Sequence, residues 1–302
     1  MAKIIIIGNS PSGFSVCQAL VKNPSGHEIT VVSRESVPAY KRDLLFDYFS
    51  GKLPEKELFL CSEDFYKQNK INLLKEKEVS RLDTKKQKVI LRDNLKLEYD
   101  FLIIASGEEV SLPDVPGKNK EGVFTFYRLK EVKKLKQLIG LSDIVGIIGE
   151  SGVCAKLAEI VLAKKKEVKI ISKPKPEAFF DLEHAQWIDK FELTEIIGEG
   201  SELKALRLSN GKVLGVDLAI LAGNYIPYTD FLKNSGVETD NGYIVVDSSM
   251  RTNVENIFAC GRVCKQGVIR DAHWSGETIT NAINKKHPSK DCADFYTLHA
   301  AQ

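Results

Sequence analysis

Gly8, Ser10 and Gly13 follow one another as G-x-S-x-x-G directly behind Ile4-Ile5-Ile6-Ile7, and Glu35 comes about 20 residues after Gly13. Small residues in that spacing let backbone amides and a helix N-terminus close on a pyrophosphate, and an acid at that distance accepts hydrogen bonds from a ribose diol. Serine is the smallest replacement for the second glycine that carries a hydroxyl, which can donate to a phosphate oxygen. The chemistry implied is retention of a dinucleotide. The plainer alternative is an α/β sheet with a tight turn and no ligand.

The elements that must position these residues are legible around them. Four β-branched residues without alternation predict a strand buried on both faces, in the middle of a parallel sheet. Phe14, Val16, Cys17, Leu20 and Val21 then take helical spacing, and the next strand spans His27 to Ser33. Strand, small-residue turn, helix and strand form the front half of a Rossmann unit. A proline-started segment from Val37 runs into Phe46–Phe49 with Gly51 as its stop, and Phe59 to Asn69 predicts another helix before a short strand, Ile71 to Leu74. The period then changes to two over Val79–Leu82, Lys88–Leu91 and Leu95–Leu97, predicting a small antiparallel meander. Asp100 to Gly107 predicts a second buried parallel strand, and the prolines of Pro113-Asp-Val-Pro-Gly117 suggest a domain boundary.

Beyond a helix over Tyr127 to Ile139, the opening pattern returns at Asp143 to Ala158, roughly 140 residues after its first occurrence. Gly149, Ser151 and Cys154 occupy the three fingerprint positions there, with Gly152 and Val153 between them. The following strand, Glu167 to Ser172, ends in Lys173-Pro-Lys-Pro176 without an acid, so a 2′-phosphate suits Lys173 better than a ribose diol would. Leu203–Leu208 and Lys212–Leu214 around Ser209-Asn-Gly211 predict a hairpin. Asp217 to Gly223 is a further buried strand, Gly242 to Asp247 starts an edge pattern, and a last helix is expected from about Ala272 to Lys286.

At 302 residues the chain is long enough for about two domains. Lys plus Arg (43) balances Asp plus Glu (41), so net charge favours neither a nucleic acid nor a membrane surface as partner. The run Lys164-Lys165-Lys166 reads as a solvated helix end. No signal-peptide pattern and no apolar run of membrane-spanning length is seen. The six cysteines contain no C-x-x-C pair and the five histidines are scattered, so no metal site is expected. A cytoplasmic protein with reduced thiols is the expectation.

In their order, these motifs resemble the FAD-dependent pyridine nucleotide–disulfide oxidoreductases, flavoproteins with two dinucleotide-binding domains. The resemblance covers nearly the whole chain: a first fingerprint at Gly8–Gly13 with Glu35, then Ala105-Ser106-Gly107, a second fingerprint from Gly149, Ala222-Gly223 with Pro227, and Thr252 to Arg262. Tyr40-Lys41-Arg42-Asp43-Leu44-Leu45 resembles a segment that lies beside the flavin in the nitrite reductase flavin domain and rubredoxin reductase branch. What the resemblance implies is an α/β fold of two Rossmann-like domains with small antiparallel meanders. Residues 1–112 and 243–302 would form the FAD domain, with an NAD(P)-binding-like domain, 113–242, inserted in it.

For FAD it implies Gly8, Ser10, Pro11, Ser12, Gly13, Glu35, Arg42, Ala105, Ser106, Gly107, Gly261, Arg262 and His273; for NAD(P), Gly149, Ser151, Gly152, Val153, Lys173 and Gly223. The last helix, near Ala272 and His273, would present its positive end to the flavin pyrimidine. The chain departs from the family in carrying Arg262 where an aspartate usually meets the ribityl chain; arginine cannot accept a hydrogen bond but can reach the pyrophosphate as a donor. It also lacks a redox-active cysteine pair, since Cys260 and Cys264 stand four apart and Cys260 ends an apolar strand. Lys41 and Arg42 either flank the flavin or attract an acidic partner, against a reading as ordinary surface charge. The activity implied is transfer of electrons from NAD(P)H through FAD to an acceptor, a small redox protein or a small molecule. Two alternatives remain: a flavoprotein reduced by a ferredoxin-like protein, and a binding or regulatory relative without catalysis.

Overall fold

A computed structural model describes residues 2–22, 26–173, 184–265 and 271–284. Cys292, the predicted helix end at Lys286 and the segment Pro174-Lys175-Pro176 lie outside the described residues. The chain forms two compact units: Met1–Lys41, Phe59–Glu108 and Pro227–Gln302 make the first, and Arg42–Leu58 with Glu109–Ile226 the second. The chain crosses between them at Lys41/Arg42 and Leu58/Phe59, and again within strands β8 (Glu108–Val110) and β17 (Tyr225–Pro227). Thus Pro113–Gly117 lies within the second unit and Gly242 within the first. Prolines mark where regular structure stops, whereas a unit ends where contacts cease to cross.

The first unit is built on a parallel sheet in the order β20-β7-β1-β2-β3, formed by β1 (Lys3–Ile7), β2 (Glu28–Val32), β3 (Asn72–Leu74), β7 (Phe101–Ile104) and β20 (Ile257–Ala259). Ile4 and Ile6 point into a cluster with Phe14, Val16, Cys17 and Leu20 of α1 (Pro11–Lys22) and Ile279 and Ile283 of α6 (Ala272–Ile283). Ile5 and Ile7 point the other way, onto Val79, Leu82, Val89 and Leu91 of the antiparallel meander β4 (Val79–Asp83), β5 (Lys88–Leu91) and β6 (Lys96–Glu98). Helices on one face and a meander on the other explain why the isoleucine run does not alternate. A two-residue hairpin pair, β18 (Thr239–Asp240) and β19 (Tyr243–Ile244), is all that forms of the expected edge pattern.

The second unit repeats the design. Its parallel sheet runs β12-β11-β10-β16-β9, from β9 (Val123–Thr125), β10 (Ile144–Gly149), β11 (Glu167–Ile171), β12 (Ala185–Ile188) and β16 (Leu218–Ala222). The meander β13 (Leu193–Glu199), β14 (Glu202–Leu208) and β15 (Val213–Gly215) supplies Leu193, Ile196, Leu206 and Leu214 to a core with Ile171 and Ala219. Packing against β10 and β11 is α5 (Ser151–Leu162), while α4 (Leu129–Leu138) packs on β9. The short α2 (Leu45–Ser50), from the segment 42–58, packs on α4 and α5.

Some elements are shorter than expected. Arg42–Leu44 make one 3-10 turn before α2, which Gly51 closes at φ +92°. The Phe59–Asn69 helix is confined to α3 (Glu63–Gln68). Strands β12 and β13 were not anticipated: Ala-Gln-Trp-Ile is too short to show a period, and β13 carries Glu195, Gly198 and Glu199. No described helix is long and apolar enough to cross a membrane.

Candidate functional site

Strand order reverses at β1 in the first sheet, because β2 and β3 lie to one side and β7 and β20 to the other. Ligands of open α/β sheets bind beyond the carboxyl ends of such strands, and the residues there are Gly8 and Ala105-Ser106-Gly107. A Cβ on Gly8, at φ +107°, would stand 2.2 Å from Ala105 O, and one on Gly13 would stand 2.1 Å from Gly8 O. Strand end, turn and helix thus meet at a distance only glycine allows, with the backbone bared as a pyrophosphate requires.

Helix α1 begins at Pro11, not Phe14, with Ser10 in front of it. The Ser10 hydroxyl accepts from Gly13 N at 3.3 Å and donates to Ala105 O at 3.2 Å. Its proton is therefore turned onto the strand end. Ser before Pro is a readable start signal, an N-cap followed by a proline at the first helical position.

Glu35 lies just past β2, and its carboxylate accepts the Tyr40 hydroxyl at 2.9 Å (Oε2) and 3.2 Å (Oε1). The backbone behind it is pinned by Ser33, whose Oγ accepts from Glu35 N and donates to Glu35 O, both at 3.1 Å. Tyr40 stands five residues beyond Glu35, in a contact that motif spacing does not reveal. Ser106 Oγ donates to Tyr228 O at 2.8 Å, and Tyr228 N donates to Gly107 O at 2.9 Å, which fixes the Ala105–Gly107 turn. Arg42 belongs to the second unit, where its guanidinium lies 4.2 Å from the centre of the Tyr127 ring.

Arg262 follows Gly261 in a single 3-10 turn and faces Glu108, 3.8 Å away. His273 is exposed in the first turn of α6, with Nε2 3.5 Å from Glu277 Oε1. The N-terminus of α6 already has an anion: Asp271 Oδ1 accepts from His273 N (2.8 Å) and Trp274 N (3.2 Å). That carboxylate offsets the positive helix end expected to face the flavin. Cys17, Cys260 and Cys264 are buried free thiols. Burial raises Cys17 and Cys264 from 9.0 to about 12 and lifts Cys260 well above its usual value. Among the described residues no His, Cys, Asp and Glu group has metal-site geometry.

The second turn has the same backbone shape. A Cβ on Gly149, at φ +142°, would stand 1.5 Å from Ala222 O, and Gly223 packs against Glu150. Ser172 Oγ donates to Gly149 O at 2.5 Å. Cys154 in the third fingerprint position is fully buried, where the first turn has Gly13. Gly152 and Val153 lie in the first turn of α5 behind Glu150, an exposed N-cap residue whose side chain makes no cap hydrogen bond. Lys173 is exposed and paired with Glu192 at 3.3 Å.

Comparison with known proteins agrees with this arrangement. The chain is 27% identical over 294 residues to the NADH-dependent phenylglyoxylate dehydrogenase subunit epsilon of Aromatoleum evansii, covering 93% of this chain and 68% of that one. It is 24% identical to human apoptosis-inducing factor 3, covering 85% of this chain and only 45% of the relative, so it spans under half of that protein. The covalent putidaredoxin reductase–putidaredoxin complex contains a chain of the same fold, with a TM-score of 0.83 at 19% identity, covering 96% of this chain and 76% of that one. The family model for pyridine nucleotide-disulphide oxidoreductases matches residues 2–284. With that match spanning both units and both glycine turns, the chain belongs to the pyridine nucleotide-disulphide oxidoreductase family.

Proposed function

We propose that the chain is an oxidoreductase that holds FAD in its first unit, receives electrons from NADH or NADPH at its second, and passes them to a small redox protein. The observation that carries this reading is the glycine-only contact between Gly8, Gly13 and the end of β7, with Glu35 beside it at the end of β2. These residues fit the pyrophosphate and adenosine ribose of FAD. FAD, when bound, supplies chemistry that accepts electrons in pairs and releases them singly or in pairs. Backbone amides of the Gly8–Gly13 turn would hold the pyrophosphate. Glu35 would accept the ribose hydroxyls while Tyr40 keeps its carboxylate aimed. The Ala105–Gly107 turn would close the wall beside the ring. Gly149, Ser151, Gly152 and Val153 would present the backbone of the second turn to the nicotinamide dinucleotide. The relative named as NADH-dependent and the reductase solved with its redox partner support the donor and the acceptor class. Buried thiols suit a reducing compartment such as the cytoplasm.

A second reading rests on Glu150. A free carboxylate at the N-cap of α5 repels a pyrophosphate where helix and amides would attract it, which favours a flavoprotein reduced by a ferredoxin-like protein. The anaerobic visible spectrum separates the readings: a flavin spectrum that bleaches with NADH or NADPH supports the first, and flavin that neither nucleotide bleaches supports the second. Purified protein that stays colourless after FAD is added refutes both.

A further inference from the structure

Glu108 is the one acidic or basic side chain in the core of the described residues, only 9% exposed. A carboxylate taken out of water costs several kcal/mol unless charge and hydrogen bonds meet it. Tyr243 OH donates to its Oε1 at 3.1 Å, and Arg262 Nη1 stands 3.8 Å from its Oε2. The Arg262 side chain is itself 64% exposed, so Glu108 engages one corner of the guanidinium and leaves the other donors facing outward.

Each member of the pair directly follows a backbone segment that borders the α1 turn, at the ends of the neighbouring strands β7 and β20. Glu108 directly follows Ala105-Ser106-Gly107, on which Gly8 rests, and Arg262 follows Gly261, where a Cβ would stand 2.6 Å from Ser12 Oγ. The helical part of that turn is short of donors. Pro11 has no N–H, Gly13 N donates to Ser10 Oγ, and Phe14 N donates to Ser10 O at 2.8 Å. The Ser12 N–H is what the first turn keeps for an anion.

We propose that Arg262 supplies the missing positive charge to the pyrophosphate at this turn, and that Glu108, steadied by Tyr243, is the positioning residue that holds the guanidinium there. The inference rests on reading the first unit as an FAD site and specifies how that site grips the pyrophosphate. Without Glu108 the arginine would explore solvent and lose more rotamer freedom on binding.

The test titrates apoprotein with FAD, and separately with ADP as a pyrophosphate probe lacking the flavin. Arg262→Ala is expected to weaken FAD and ADP alike by about 10- to 100-fold, the range of a charge-assisted hydrogen bond, and to flatten the dependence of affinity on salt. Glu108→Gln should weaken both by roughly tenfold and add nothing in the Arg262→Ala background. Should Glu108→Gln not fold, Tyr243→Phe makes the same test with a smaller, parallel loss. Wild-type FAD and ADP affinity in a folded Glu108→Gln protein would overturn the proposal. So would losses that add in the double variant, or an Arg262→Ala loss seen with FAD but not ADP. Absence of FAD binding by the wild type would instead overturn the flavin reading itself.

Discussion

Gly13→Ala sets two effects of opposite sign against each other. Gly13 is inside α1, where alanine is preferred to glycine by about 1 kcal/mol, so an open site would be stabilised. Here the new Cβ would lie 2.1 Å from Gly8 O, and real Cβ contacts almost never fall below 3.0 Å, so α1 or Gly8 must move by at least 3.0 − 2.1 = 0.9 Å. Moving a packed helix that far costs about 1–3 kcal/mol, and it stretches the 3.3 Å bond from Gly13 N to Ser10 Oγ. The expected net result is a loss of about 1–2 kcal/mol in stability. Shifted amides that no longer meet the pyrophosphate should also weaken FAD binding by about 10- to 150-fold, the equivalent of one charge-assisted bond. Gly152→Ala is the control, since a Cβ there meets nothing within 4 Å; it should be neutral or stabilising by up to about 1 kcal/mol. Urea unfolding midpoints and FAD titration by fluorescence quenching read both effects. A Gly13→Ala protein as stable as Gly152→Ala, with wild-type FAD affinity, would refute the close-approach argument.

Tyr40→Phe removes the hydroxyl that holds Glu35 and should weaken FAD several-fold, about 1 kcal/mol, with no change in the visible band shape; unchanged affinity would show that Glu35 needs no orientation. The buried thiols give an alkaline limit. Cys17 and Cys264 stay protonated in the fold up to about 12 against an ordinary 9.0, so the stability they contribute is present below 9.0 and lost as pH rises toward 12. Native protein should accordingly resist a thiol reagent at pH 8 at Cys17, Cys260 and Cys264 until unfolded; rapid labelling at any of the three would contradict their burial.

The two Rossmann units were legible because each begins with an apolar run too long and too uniform for a half-exposed strand, followed by small residues at a spacing that backbone geometry demands. The place of Glu35 just past β2 was legible for the same reason: its distance from Gly13 is fixed by a helix and a strand. The Tyr40 contact to Glu35 and the Tyr243–Glu108–Arg262 cluster were not, because their members are separated in sequence by distances that only the folded chain sets. Ser10 shows a different limit. Its position in the fingerprint points to phosphate, while a serine before proline is also a helix-start signal, and here its hydroxyl bonds Gly13 N and Ala105 O. Asp271 in front of α6 likewise follows a cap rule, and overlooking it left the helix end more positive than it is. The 42–58 segment shows another limit: local pattern marks Phe46–Phe49 and the Gly51 stop but not the unit in which Tyr48 and Phe49 are buried.

The packing of α1 against α6 has a consequence for synthesis. Gly276 of α6 sits so close to α1 that a Cβ would stand 2.6 Å from Ser15 Oγ, yet Ala272 leaves the ribosome 272 − 22 = 250 residues after Lys22. By then β9 to β16, the full sheet of the inserted unit, has already emerged, so the middle of the chain can finish folding before its flanks. Until Ile257–Ala259 arrives, β7 keeps an unpaired edge, and α1 lacks the helix that covers Phe14 and Cys17. A nascent chain of this design carries an open parallel edge beside an uncovered apolar helix from Ile104 until Ile257, about half of its translation, the state most exposed to pairing with a wrong strand.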